Sequence, residues 1–210
     1  MLSYCLLLTL VLGAVSADFT KVTCNSMTPL KDASVSSLSG NWVAVKSVAF
    51  NSGVPFNPAN PDEDPRTKTC IHATGYDSTD NSIKVKNVAH ITGRDPITET
   101  LSLTVVGSEK GRMSMKSDIQ DRENWEFMVI EADPAKYLVY VLCQPPNEAG
   151  ERLPERVNLM SRHEDHSDHE VLTAEEIEAV YTSVAGKIGI AGQGVKPVSY
   201  ARSCWTAFPN

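Results

Sequence analysis

Hydrophobic and polar residues alternate in short runs through the middle of the chain, and turn residues separate each run from the next. In the run 97–105, for example, Leu101 and Leu103 lie on one face and Ser102 and Thr104 on the other. This period of two is typical of antiparallel strands with one buried face. The pattern predicts eight strands, over residues 40–50, 66–76, 82–91, 96–106, 112–117, 124–131, 136–143 and 156–162.

The pattern changes to a helical period near residue 172. Thr173 and Glu176 have the spacing of a capping box, which marks the beginning of a helix. The apolar residues that follow recur on one helical face, so the helix is expected to pack on the strands. We therefore predict one helix over about residues 173–185, followed by an irregular tail over residues 186–210.

Eight antiparallel strands in sequence order leave two exposed edges unless the first and last strands pair, and closure into a barrel removes both edges. The sequence therefore predicts an all-β fold, an eight-stranded antiparallel up-and-down β-barrel with the helix packed outside. The segment 51–65 holds four prolines and three acidic residues, so we expect an irregular loop there. A barrel of eight strands is wide enough for its own side chains or for one small ligand.

The first 17 residues are uncharged and mainly apolar, and they end in small residues with Val15 and Ala17 in the positions that a cleavage site requires. This composition is typical of a secretory signal peptide. The apolar run is shorter than the roughly 20 residues that a membrane-spanning helix needs. We expect a secreted, extracellular protein without a transmembrane segment, in which residues 18–210 form a single domain.

The net charge bears on the class of binding partner, and the cysteine content bears on the cellular compartment. The formal net charge is −7 at pH 7, which disfavours nucleic acid or an anionic membrane as a partner. Cys24, Cys70, Cys143 and Cys204 lie beyond the predicted signal peptide. An even number of cysteines in an oxidising compartment predicts two disulfide bonds, and four cysteines allow three pairings.

The sequence offers no familiar catalytic motif. It contains neither G-x-S-x-G nor H-E-x-x-H, and the predicted disulfides leave no thiol for nucleophilic catalysis. We therefore expect a protein that is not an enzyme. His163, His166 and His169 lie in an acidic segment, but their spacing matches no defined zinc pattern, so we predict no metal site and no obligatory cofactor.

Three segments resemble the signatures of the lipocalin family. Gly40 and Trp42 match the family's G-x-W at the start of the first strand, and Arg162 matches the arginine that ends the eighth. The segment 132–143 resembles the second signature more weakly. In the family, that arginine lies across the tryptophan ring at the closed end of the barrel. The resemblance therefore implies that Trp42 closes the barrel floor and that Arg162 covers it from outside.

The cysteine positions resemble those of one lipocalin group, which contains apolipoprotein D, insect bilin-binding proteins and the crustacyanin subunits. In that group the N-terminal cysteine pairs with one at the end of strand seven, and a strand-two cysteine pairs with one in the C-terminal tail. The resemblance therefore implies the pairs Cys24–Cys143 and Cys70–Cys204.

The inward faces of the predicted strands form the wall of a candidate ligand pocket. Asn87 and Glu99 interrupt these apolar rows and are candidate hydrogen-bond partners for a ligand. A haem ligand would require an inward histidine, and we expect neither of the strand histidines, His72 and His90, to point inward. The predicted ligand-binding wall consists of Val85, Ala89, Ile91, Leu101, Leu103, Met113, Met115, Trp125, Phe127, Val129 and Tyr137.

These expectations define a secreted carrier that binds a small hydrophobic ligand in the barrel, such as a lipid, a retinoid, or a bilin or carotenoid pigment. Apolar burial would drive binding, and the loop 51–65 is the expected gate, because the loop between strands one and two borders the open end in lipocalins. The alternative is a secreted interaction or inhibitor protein with a filled barrel that acts through its loops and outer surface. The sequence leaves open the ligand and whether the protein forms homo- or hetero-oligomers.

Overall fold

A computed structural model describes residues 19–57, 64–91, 93–163 and 171–200, and all structural statements concern these residues. No helix within these ranges is both long enough and apolar enough to cross a membrane. The elements are strands β1 (Gly40–Asn51), β2 (Val54–Phe56), β3 (Thr69–Tyr76), β4 (Ser82–Ile91), β5 (Ile97–Val105), β6 (Arg112–Ser117), β7 (Trp125–Asp133), β8 (Tyr137–Cys143), β9 (Pro154–His163) and β10 (Val198–Ser199), and helix α1 (Ala174–Lys187).

Eight of the strands form a closed antiparallel barrel. From β3 to β9 each strand pairs with the next in sequence, and β1 pairs with both β3 and β9. Trp42 of β1 consequently lies between Ala73 of β3 and Arg162 of β9. The predicted all-β barrel and its eight strands are confirmed.

Residues of the barrel strands alternate between inside and outside, and each side has its own hydrophobic cluster. The interior cluster includes Trp42, Leu101, Met113, Phe127 and Met160. The outer cluster lies on the other face of β1, β7, β8 and β9 and includes the buried face of α1. The helix therefore packs on the outside of the barrel, as predicted.

The helix α1 begins at the predicted capping box. The Thr173 hydroxyl accepts a hydrogen bond from the Glu176 backbone N–H (3.2 Å), and the Glu176 carboxylate accepts one from the Thr173 N–H (2.8 Å). A cap of this kind stabilises a helix by about 1 kcal/mol. Ile177 and Val184 pack into the outer cluster, and the helix ends at Lys187, slightly beyond the predicted end.

Glu131 on β7 links the barrel to the C-terminal end of α1. Its carboxylate accepts hydrogen bonds from Lys187 (2.7 Å), Tyr137 (2.8 Å) and Ser183 (3.0 Å). Burial on its own raises the pKa of Glu131, but the hydrogen bonds from these three side chains outweigh burial and hold that pKa below its ordinary value of 4.5. A carboxyl group with a lowered pKa contributes stability above its unfolded-state pKa, and that stability is lost as the pH falls through the folded-state pKa.

We expect Glu131→Gln to lower the unfolding midpoint at neutral pH, because the variant lacks the charge that Lys187 contacts. The difference from wild type should be full at neutral pH and shrink as the pH falls below the ordinary carboxyl value of 4.5. Thermal unfolding measured from acid to neutral pH tests this expectation. Glu148→Gln, at an exposed position between β8 and β9, is the matched control. A difference that persists at the lowest pH would assign the effect to packing.

The predicted irregular loop over residues 51–65 is wrong at its beginning, where β2 forms a hairpin with the end of β1. The two residues between the strands, Ser52 and Gly53, have φ values of 50° and 81°. Positive φ at both central residues is the conformation that favours tight two-residue hairpins. Residues 58–63 lie outside the described part of the chain, so the predicted gate is described only at its ends.

The tail also departs from the prediction, because β10 is a short strand. On one edge of β1, β3 pairs only from Gly40 to Val43 and β2 only from Ala49 to Asn51, which leaves the residues between them open to another strand. β10 pairs with this edge through its two residues, which lie opposite Lys46 and Ser47. The tail therefore contributes to the barrel wall where β1 and β3 separate.

The predicted disulfide between Cys24 and Cys143 is confirmed, with 6.2 Å between the two Cα atoms. Both cysteines are fully buried in the outer cluster. Cys70 is also disulfide-bonded, but its predicted partner, Cys204, lies outside the described residues. The predicted signal peptide, residues 1–17, lies outside them as well.

Candidate ligand site in the barrel

Trp42 and Arg162 close one end of the barrel. The Trp42 side chain is 2% exposed, and its indole N–H donates a hydrogen bond to the Leu38 carbonyl (3.0 Å). The guanidinium carbon of Arg162 lies 4.7 Å from the centre of the indole ring, within the range of a cation–π interaction. Arg162 Nη1 also donates to the Ser39 carbonyl (2.6 Å), so the arginine is held across the ring.

Gly40 has a steric role at this floor. Its φ of +89° favours glycine, and a Cβ added there would lie 2.6 Å from Arg162 Nη2. A side chain at this position would therefore displace the guanidinium from the indole. The G-x-W spacing leaves the space in which Arg162 covers Trp42.

A small cavity lies in the interior above the floor. The space in it that the centre of a water molecule can occupy is about 20 Å³, which is room for about one water. Pockets that hold small ligands measure about 300–1,000 Å³, so side chains nearly fill the barrel. The cavity is lined by Leu38, Trp42, Ala73, Val85, Asn87, Leu101, Phe127, Leu138, Tyr140 and Met160.

Most residues of the predicted wall lie in this interior. Val85, Leu101 and Phe127 line the cavity itself. Ala89 and Ile91, nearer the open end of β4, are half-buried. Their role in ligand binding stays a prediction. The remaining wall residues that belong to the interior cluster or pack against it are Leu103, Met113, Met115, Trp125 and Val129.

Tyr137 does not line the interior, so its predicted place in the wall is wrong. The Tyr137 ring packs against the outer cluster, and its hydroxyl donates to Glu131 (2.8 Å). Leu138 and Tyr140 face inward instead, because both line the cavity. The outer face of β8 is apolar as well as the inner one, because α1 covers it. Alternation of hydrophobic and polar residues is therefore absent from β8 and does not identify its inward face.

Polar side chains that the sequence analysis did not select lie at the middle of the interior. Asn158 lies opposite Tyr140 in the pairing of β8 with β9, and Asn158, Tyr200 and Arg156 all act on the pKa of the Tyr140 hydroxyl. Burial is the main reason that the pKa of Tyr140 is raised, so the phenol is neutral at physiological pH. Asn158 Oδ1, Arg156 Nε and the Tyr200 hydroxyl have no hydrogen-bond partner in the described part of the chain.

Charged side chains gather at the open end of the barrel, opposite the floor. Arg122, between β6 and β7, lies with its Nε 3.3 Å from Glu99 and its Nη1 3.4 Å from Glu155. Its guanidinium carbon is 4.8 Å from the centre of the Trp125 ring. Ser117 donates a hydrogen bond to Glu99 (2.6 Å). Glu99, a predicted ligand partner, thus already has protein partners, whereas Asn87 lines the cavity.

The two strand histidines share the outer side of the barrel. His72 lies opposite Val43 of the outer cluster, and its ring centre is 5.7 Å from that of His90. Within the described ranges, no group of three His, Cys, Asp or Glu side chains could hold a metal ion. His166 and His169 lie outside these ranges, so the expectation of no metal site in that segment stays a prediction.

No family model matches the sequence, and no curated protein matches it. The structure resembles the tryptamine complex of the amine-binding protein of Rhodnius prolixus (15% identity, 84% of this chain and 86% of that chain covered, TM-score 0.56). It also resembles lobster apocrustacyanin A1 (13% identity, 84% of this chain and 91% of that chain covered, TM-score 0.53). A third similar structure is the siderocalin Ex-FABP (11% identity, 79% of this chain and 94% of that chain covered, TM-score 0.53). These proteins are lipocalins. At such identities the likeness shows the fold, and the fold of this chain is that of the lipocalins.

Proposed function

We propose that this protein is a carrier that binds a small, mainly apolar ligand inside the barrel. The observation that carries the proposal is a closed barrel sealed at one end by Trp42 and Arg162, with an apolar interior above them. Burial of apolar surface contributes about 25 cal/mol per Å² to binding before its costs. Two of the similar structures are a tryptamine complex and a siderocalin with dual ligand specificities, which supports a binding role for the fold.

The proposal includes secretion and a ligand class. The Cys24–Cys143 disulfide is typical of an oxidising, extracellular environment, which agrees with the predicted signal peptide. Lipids, retinoids, bilins and carotenoids are the ligand classes, and none of them is an obligatory cofactor. Homo- or hetero-oligomers of the carrier are both compatible with this proposal.

Binding in this barrel requires movement of interior side chains, because the cavity of about 20 Å³ is far smaller than a ligand. Met113 and Met115 are fully buried in the interior cluster, and unbranched methionine side chains rearrange readily around irregular guests. The ion pairs of Arg122 at the open end must also separate for a ligand to enter there.

The same small cavity favours a second candidate function, a filled barrel that acts on a protein partner through its loops and surface. Phe56, Ile97 and Ile119 lie on the strands and loops of the open end and are 52%, 50% and 52% exposed. Large apolar side chains at a rim are typical contact residues in protein interfaces. A partner of this kind would leave the barrel interior unused.

Analysis of the natively purified protein separates the two functions. We expect organic solvent to extract a small molecule detectable by absorption and mass spectrometry, and the extracted protein to bind all-trans-retinol in a fluorescence titration. Val85→Trp, at the cavity wall, should abolish that binding. Val180→Trp, packed against the outer cluster, should not. No extracted molecule and no binding of retinol, fatty acid or bilin would refute the carrier in favour of the filled barrel.

A further inference from the structure

Tyr200, from the tail of the chain, occupies the interior of the barrel. It is 4% exposed and belongs to the interior cluster with Trp42 and Leu101. Its backbone N–H donates to the Val45 carbonyl (3.1 Å), beside the part of β1 that does not pair with β3. A ring from the end of the chain therefore fills space that the barrel strands enclose.

This ring carries a hydroxyl into the interior, where no described residue is its hydrogen-bond partner. Among the residues that the structure describes, the Tyr200 hydroxyl, Asn158 Oδ1 and Arg156 Nε are buried and lack hydrogen bonds. Tyr140 lies opposite Asn158 in the pairing of β8 with β9, Tyr200 and Arg156 both act on its pKa, and it lines the small cavity. Buried polar atoms without partners are rare in folded proteins, and several of them in one place indicate a site for a further polar group.

The charges around this polar site balance. Tyr140 experiences both the Arg156 cation and the Glu99 anion, and Arg122 lies between Glu99 and Glu155. Two arginines thus accompany two glutamates, which leaves no net charge to attract an ionised group. The hydroxyl of Tyr140 can donate and Asn158 Oδ1 can accept, and a neutral hydroxyl group satisfies both.

The described part of the tail that carries Tyr200 pairs with the barrel strands over a short stretch. β10 pairs with β1 over Ser199 and Val198 alone, whereas β9 pairs with β1 from Asn41 to Ala49. Few backbone hydrogen bonds allow a segment to open locally while the rest of the fold stays intact. Withdrawal of Tyr200 therefore breaks few of the described backbone hydrogen bonds to the barrel strands.

We propose that Tyr200 occupies the site for the polar end of the ligand, and that the ligand is a mainly apolar molecule with a neutral hydroxyl, a phenol or an alcohol. β10 separates from β1, Tyr200 withdraws, and the hydroxyl of the ligand contacts Tyr140 and Asn158. The apolar part of the ligand then packs in the interior cluster, which includes Leu101 and Phe127. This inference rests on the proposed carrier function and specifies its ligand class.

The first test uses the full-length, disulfide-bonded Tyr200→Ala variant and three probes that share one ring: p-cresol, toluene and 4-methylbenzoate. We expect calorimetry to show that the variant binds p-cresol roughly tenfold or more tightly than either other probe, because a site built for a hydroxyl rejects analogues without it. Adding Tyr140→Phe should abolish this preference. The matched control is Tyr181→Ala, since Tyr181 packs on the outer cluster and its hydroxyl already donates to the Val195 carbonyl (3.1 Å).

The second test measures binding to the wild-type sequence and needs a conservative variant only for assignment. Fluorotyrosine-labelled protein is followed by fluorine NMR, and the Tyr200 resonance is assigned with Tyr200→Phe. We expect dodecan-1-ol to move this resonance to the position of a solvent-exposed tyrosine. Dodecane at the same concentration should leave it unchanged.

The outcomes separate this inference from the carrier function. Equal affinity of Tyr200→Ala for p-cresol and toluene would overturn the inference, because the space would then be an apolar void. A folded variant that binds no p-cresol would overturn it as well, since ordered water would then satisfy the polar atoms. If wild-type protein binds retinol while the Tyr200 resonance stays fixed, the carrier function stands and the inference fails. Wild-type protein that binds no probe refutes both.

Discussion

Replacement of both Cys24 and Cys143 by alanine is expected to lower the free energy of unfolding by about 4–5 kcal/mol, because the disulfide closes a loop with a sequence separation of 119 residues. Such a long loop loses much of its unfolded-state freedom when the bond forms. Denaturant unfolding followed by tryptophan fluorescence measures the difference. The loss approaches the entire stability of an ordinary domain, so the variant should be partly unfolded at physiological temperature.

The disulfide anchors a segment that backbone hydrogen bonds also attach to the rest of the fold, among them one from the Val22 N–H to the Gly53 carbonyl (2.8 Å). The Cys24 N–H donates to the Arg152 carbonyl (2.8 Å) and the Leu30 N–H to the Val129 carbonyl (2.8 Å). Ser26→Ala, at an exposed position in the same segment, is the control and should change stability by less than about 0.5 kcal/mol. A loss below about 1 kcal/mol for the double alanine variant would mean that the backbone bonds hold the segment without the disulfide.

The barrel strands and the floor could be predicted because local patterns specify them. A period of two over Leu101 and Leu103 requires one buried face regardless of what lies far away in the sequence. The floor depends on Gly40 and Trp42, which are two positions apart, and on Arg162, which the pairing of β1 with β9 brings to the ring. The strands and the floor depend on strand pairing, so the conformation of the loops does not affect their prediction.

The inward face of β9 was harder to identify, although one residue contained the information. Val157 and Leu159 form the more apolar row, but both belong to the outer cluster beneath α1. Asn158 and Met160 share their parity with Arg162, and Arg162 must face the barrel axis to cover Trp42. Applied along the strand, that parity places Asn158 inside from the sequence alone.

The place of Tyr200 could not be predicted from local pattern. It depends on the separation of β1 from β3 beyond Val43, which opens an edge for β10, and no periodicity marks a strand of two residues. The size of the cavity is unpredictable for a related reason. Alternation specifies which side chains point inward, whereas the remaining volume depends on how all of them pack together.

The second large effect is expected at the barrel floor, where Trp42→Ala should lower the free energy of unfolding by about 3–5 kcal/mol. The indole is 2% exposed, so its removal leaves a void that the closed strands cannot fill. The Arg162 guanidinium, which lies 4.7 Å from the ring centre in the wild-type protein, would also lose its cation–π partner. Denaturant unfolding of Trp42→Ala, Arg162→Ala and the double variant should give a coupling energy of about 0.5–2 kcal/mol.

The open end offers a matched comparison, because the Arg122 guanidinium lies 4.8 Å from the centre of the Trp125 ring. Trp125 is only half-buried, so Trp125→Ala should cost less, about 1–2 kcal/mol. The geometry of the two pairs is nearly the same, and a difference in stability would therefore reflect burial. Equal losses at the two ends would contradict a sealed floor opposite an open mouth.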